Sequence, residues 1–228
     1  MTPMLNVAVL LASVVLAATN PVPDLKTDEI VARMIQMDEG RRAALQSYIS
    51  TRRYSVDNKR FKKHAEMTVR VNYAFPGIKS YEVISQKGSG IIRKRALQKI
   101  IDAEVEASKE SNGDRSRIIP ENYEFELLGT EVVEGRSCYV LKITPKTENK
   151  FLVRGRIWVD AADFAIARME GSPAKNPSFW TRDVQVEHQY MKHGQVWLPR
   201  TNFSRSKIRI FGPTELTIDY FEYQINGV

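Results

Sequence analysis

The chain is poor in the residues that most often perform chemistry. Of 228 residues, one is cysteine (Cys138) and three are histidine (His64, His188 and His193). A single cysteine excludes an intramolecular disulfide and any CxxC metal or redox motif. No GxSxG, P-loop or HExxH pattern occurs, and Gly88-x-Gly90 is too short for a phosphate loop. No Lys or Arg precedes Lys26. The one sustained apolar run, Leu5–Ala18, is broken by Asn6 and Ser13 and is short for a bilayer span.

That run reads instead as a secretory signal, with Val15-x-Ala17 or Ala17-x-Thr19 as a small-residue cleavage site. No cysteine stands directly after it, so a lipobox is absent. Residues 1–19 are therefore expected to be a signal peptide and residues 20–228 a single domain, long enough to bury its own core. The formal charge is +7. Most Lys and Arg alternate with apolar residues, which predicts one solvated sheet face. Basic clusters stand at Lys59-Arg60 with Lys62-Lys63, at Arg93–Arg95, and at Arg205, Lys207 and Arg209. They suit anionic headgroups or an acidic partner; export argues against nucleic acid.

Period-two patterning dominates the rest of the chain. Phe151, Val153, Ile157 and Val159 alternate with Arg154, Arg156 and Trp158. The segments Tyr48–Val56, Phe61–Phe75, Lys79–Gln86, Tyr123–Val133, Ser137–Pro145, Phe164–Glu170, Trp180–Met191, Gln195–Arg200, Thr201–Phe211 and Glu215–Ile225 are also predicted as strands. Turn signals separate several of them: Pro76-Gly77, Glu134-Gly135, His193-Gly194 and Gly212-Pro213. Two stretches are helical. The first carries Ile30, Met34 and Met37 after an N-cap at Thr27 or Asp28 and is expected to break near Gly40, with helical continuation through Ala43–Leu45 left open. The second, Ser89–Lys109, presents Leu97, Ile101 and Val105 on one side.

The hairpin Gly155-x-Ile157-Trp158-Val159-Asp160, a turn, then Ile166-Ala167-Arg168-Met169-Glu170 resembles that of the outer-membrane lipoprotein-sorting family, the LolA-like periplasmic carriers with LolB- and RseB-type relatives. Val196-Trp197-Leu198-Pro199 is similar to a later strand of that superfamily. The resemblance implies a mainly β fold with α (α+β): an incomplete antiparallel β-barrel of about ten strands with helices covering the concave face. It also implies a periplasmic location and a cavity that holds acyl chains. The candidate lining is then Met67, Val69, Val71, Leu97, Ile101, Phe125, Leu127, Leu141, Val184, Val186, Leu216 and Ile218, the apolar phase of their elements.

Catalytic candidates are sparse. His188 sits on an inward strand position and His193 in the next turn, so a shared metal is not expected. Asp160 and Asp163 bracket a tight turn, where Asp caps backbone. Cys138 lies on an alternating strand without a basic partner in the pattern. The expected function is a non-enzymatic, cofactor-free carrier of lipid or lipidated protein, monomeric, with a membrane acceptor. The alternatives are an RseB-like sensor bound to a membrane-protein partner, and a hydrolase with an unrecognised site.

Overall fold

The computed structural model describes residues 22–93, 100–101, 116–179 and 181–227. Helix α1 (Thr27–Ala44) precedes ten strands: β1 (Ser47–Asn58), β2 (Lys63–Ala74), β3 (Ile78–Gly88), β4 (Tyr123–Val133), β5 (Arg136–Pro145), β6 (Val153–Asp160), β7 (Ile166–Pro173), β8 (Thr181–His193), β9 (Val196–Ile208) and β10 (Gly212–Ile225). One helical turn, α2 (Gly90–Ile92), follows β3. All ten strands form one antiparallel sheet in the order β3-β2-β1-β10-β9-β8-β7-β6-β5-β4. The last strand lies beside the first, and β3 and β4 are edges, so the barrel stays open as expected.

Cross-strand partners point to the same side of a sheet. One continuous row therefore runs Leu127–Leu141–Ile157–Met169–His188–Asn202–Ile218–Tyr54–Met67. The next runs Phe125–Ile143–Gly155–Gly171–Val186–Ser204–Leu216–Val56–Ala65. Both belong to the inner face. Gly155 and Gly171 are opposite each other, and a Cβ on Gly155 would lie 1.9 Å from the Glu170 carbonyl oxygen. Only glycine permits β6 and β7 to approach this closely.

Helix α1 covers the β4–β7 half. Ile30, Val31 and Met34 pack with Tyr139, Leu141, Ile143, Ile157, Val159 and Met169. Each such side chain contributes roughly 1.5–3 kcal/mol when fully buried. Polar fastenings supplement this short apolar stripe: Arg41 donates to the Asp163 and Phe164 carbonyls at 2.9 and 3.3 Å, and the Tyr139 hydroxyl donates to the Pro23 carbonyl at 2.8 Å. On the outer face, Cys138, Val140, Trp158 and Ala167 form a small separate cluster. The Trp158 ring lies between Arg156 and Arg168, at 5.1 and 4.7 Å, and its N–H donates to Glu131 at 2.8 Å.

Three expectations need correction. Helix α1 runs through Gly40, whose missing side chain faces open space and disturbs no packing. Its N-cap is Lys26, whose backbone N–H donates to Glu29 Oε2 at 2.9 Å, and Thr27 is already helical. Gln195–Arg200 and Thr201–Phe211 are not two strands: β9 continues past Pro199, where the β8–β9 pairing shifts register and accommodates the missing N–H. The signal segment, Leu97, Val105 and most of Ser89–Lys109 lie outside the described residues.

Candidate functional site

The predicted lining residues occupy one sheet but fall into two apolar clusters. Met67, Val69, Val71, Ile101 and Ile218 are buried together with Tyr54, Val56 and Tyr220, and Leu216 packs at the edge. Leu141 is buried under α1, with Phe125 and Leu127 partly buried beside it. Val184 and Val186 share the sheet's inner phase but join neither cluster; Val184 is buried and Val186 half-buried.

The ground between the clusters is polar. Asn202 donates to the Tyr220 hydroxyl at 2.8 Å. Arg52 is buried, donates to the Tyr48 hydroxyl at 3.0 Å and stacks over the Tyr220 ring at 4.8 Å. Desolvation pushes His188 down to about 4, keeping its imidazole neutral, and burial pushes the Tyr190 phenol up to about 12. Ser50 Oγ and Asn202 Oδ1 find no partner among the described residues.

A cavity of about 320 Å³ opens where the C-terminal half of α1 meets the starts of β7 and β9. Its wall is apolar: Met34, Ile35, Leu45, Ala165, Ile166, Val196 and Trp197, with Tyr190 alongside. Its rim is charged, with Arg41, Arg42 and Arg117 against Asp38. Arg42 pairs with Asp38 at 2.9 Å, and Arg117 approaches it at 4.0 Å. This volume is at the small end of the roughly 300–1,000 Å³ typical of ligand pockets. An apolar wall behind a net cationic rim can hold the chain of an amphiphile and attract an anionic head.

The β6–β7 turn fixes one side of that mouth. Asp160 is buried and accepts from the backbone N–H groups of Ala162 and Asp163 at 3.1 and 2.8 Å. Arg136 grips Asp160 through two bonds, 2.6 and 2.9 Å, and reaches Asp163 at 3.1 Å. Asp163 also accepts from Lys192 and from the Trp197 indole at 3.2 Å. These bonds hold the Asp163 carboxyl below its usual range even though burial opposes them. The aspartates thus cap the turn and orient Trp197. Cys138 is buried and its thiol is pushed up to about 12, chiefly by desolvation, so it is no nucleophile as folded. No group of His, Cys, Asp and Glu suited to a metal occurs among the described residues.

The cavity residues on α1 and at the strand starts are invisible to strand alternation. Ile166 and Trp197 had a signal, since both stand in the hairpin and strand motifs; Leu45 had only the possible helical continuation Ala43–Leu45, and Ile35 carried none.

No curated protein matches the chain. Among solved structures it is similar to a DUF1329 family protein from Desulfovibrio piger ATCC 29098, at 16% identity over 91% of this chain and 94% of that one, with a TM-score of 0.43. It is similar to a putative outer membrane lipoprotein-sorting protein domain from Vibrio parahaemolyticus, at 12% identity over 84% and 92%, with a TM-score of 0.42. A LolA superfamily protein from Nitrosomonas europaea is similar at 12% identity over 90% and 95%, with a TM-score of 0.38. The described residues themselves form an open ten-stranded antiparallel half-barrel with a helix over part of its inner face. A family model described as "-like: Uncharacterized protein" matches residues 102–226, more than half of the chain, and the chain belongs to that family.

Proposed function

We propose that the protein is a non-enzymatic, exported binder of lipid or lipidated protein, which takes up acyl chains between α1 and the inner sheet face and carries them toward the outer membrane. The observation that carries the reading is the 320 Å³ cavity, with its apolar wall and arginine rim, beside the C-terminal half of α1. Acyl burial needs no polar chemistry, because each methylene removed from water contributes roughly 0.8 kcal/mol. The wider candidate lining, from Met67 to Ile218, supports the same reading only where a residue is incompletely packed: Phe125, Leu127, Val186 and Leu216 are half-buried, whereas Met67, Val69, Val71 and Leu141 are ordinary core.

The test is a fluorescent fatty-acid titration of the purified protein, paired with mass spectrometry of lipids it retains. Ile166→Trp fills the cavity and is expected to weaken binding at least tenfold while the melting midpoint stays near that of the wild type. A wild type that retains no lipid and binds no apolar probe refutes the reading. Release of bound lipid to acceptor vesicles distinguishes a carrier from a sensor, which would hold its lipid and bind a membrane protein instead.

A further inference from the structure

The end of the sheet farthest from the cavity carries an unusual surface. β1 begins beside the cavity wall and, over 12 residues or roughly 36 Å, leads to this far end. Three connections meet there: the β1–β2 turn, the β9–β10 turn and the segment before β8. They are joined to each other. The Phe61 and Phe211 rings make an edge contact at 6.1 Å, and Arg60 donates to the Ile210 carbonyl at 3.3 Å. The Arg209 guanidinium stacks on the Phe179 ring at 4.0 Å.

Large apolar side chains crown this tip. Phe179 is 71% exposed, Ile210 63%, Phe61 48% and Phe211 40%. Isolated exposed apolar residues need no explanation, but a contiguous patch on linked turns does. Cations surround it. Arg60, Lys62, Lys63 and Arg209 are exposed and have no carboxylate partner among the described residues. The neighbouring acids are already engaged: Glu215 with Lys59 and Arg205, Asp183 with Lys207, and Asp57 with His64. The tip therefore presents a net positive charge around an apolar centre.

We propose that this tip docks on an anionic phospholipid bilayer, with Phe61, Phe179, Ile210 and Phe211 entering the interface and Arg60, Lys62, Lys63 and Arg209 meeting headgroup phosphates. Aromatic and aliphatic side chains beside Lys and Arg are the composition that interfacial binding requires, and neither half suffices alone. The proposal concerns other residues than the cavity and stands or falls separately from it.

The experiment is vesicle co-sedimentation of the protein as isolated, with phosphatidylcholine alone and with one-third phosphatidylglycerol. Binding is expected to the anionic vesicles and to weaken as salt rises. Each cation near such a surface is worth on the order of five-fold, so Lys62→Gln with Lys63→Gln should weaken partitioning roughly 25-fold. Phe61→Ser with Ile210→Ser should lower it further, with unchanged melting. Arg70→Gln with Lys142→Gln removes equal charge from mid-strand positions and should leave binding near wild type. Absence of binding to protein-free anionic vesicles overturns the proposal in favour of an acidic protein partner. An equal loss in the mid-strand variant overturns it in favour of unspecific charge attraction.

Discussion

His188 should make the fold acid-sensitive in a window where few other groups act. It lies on the inner face between Met169 and Asn202, and desolvation holds it at about 4 against an ordinary value of 6.5. The unfolded chain takes up the proton near 6.5, but the folded protein only near 4. Between those values the unfolded state binds more protons, so stability falls as pH drops and is untouched above 6.5. At one pK unit per 1.36 kcal/mol, the loss is about 2 kcal/mol at pH 5 and about 3 kcal/mol at pH 4, levelling off at about 3.4 kcal/mol at lower pH. Asp163 and Glu215, held low by their cationic partners, lose their contributions only at more acidic pH, below the ordinary carboxylate range. His64 is raised by Asp57 and works in the opposite sense, but it is exposed and present in both proteins compared. Urea unfolding of wild type and His188→Gln at pH 7.5 and pH 5.0 isolates the effect: the wild type should lose about 2 kcal/mol more than the variant on acidification. Parallel losses in the two proteins would refute the desolvated, neutral imidazole.

Other consequences are equally direct. Gly155→Ala places a methyl against the Glu170 carbonyl and should destabilise by about 3 kcal/mol or more, read as a lowered urea midpoint. Asp160→Ala strips the turn of its cap and Arg136 of its buried partner; a loss of about 2–4 kcal/mol is expected, together with altered Trp197 fluorescence. Met67→Ala should cost about 2–5 kcal/mol as a core truncation, and Leu127→Ala clearly less because Leu127 is half-buried. Cys138 should resist a thiol-specific reagent at pH 8 until the protein is unfolded in urea; labelling within minutes in the native state contradicts its burial.

Much of the sheet was written in the alternation of its residues. Tyr123, Phe125 and Leu127 with Tyr139, Leu141 and Ile143 mark β4 and β5, and all six join the α1 cluster. Trp158 faces away from Ile157 and Val159 as the period of two requires. The errors arose where a local signal met a tertiary one. Gly40 discourages helix, yet the turns of α1 on either side hold it, with Met34 buried before and Arg41 anchored after. Gln195–Arg200 and Thr201–Phe211 read as two strands, but β9 is continuous through them, and a register shift opposite Pro199 absorbs the missing donor. The cavity was unreadable because it arises from the space left between α1 and the starts of β7 and β9, and alternation reports which side chains face inward, not how closely the facing element fits them.

The unjoined edges of the sheet have a further consequence. A closed barrel's interior is set by its number of strands and their stagger. Among the described residues no ladder ties β3 to β4, and the two halves of the inner face are packed as separate clusters, with polar residues such as His188 and Asn202 and a small Tyr48–Val196–Leu198 cluster between them. The sheet can thus change its coiling there, around β8 and β9, without breaking an inter-strand ladder. Under the proposed lipid-binding function, capacity becomes an adjustable property of the molecule, and guests of different girth need not be matched by different proteins.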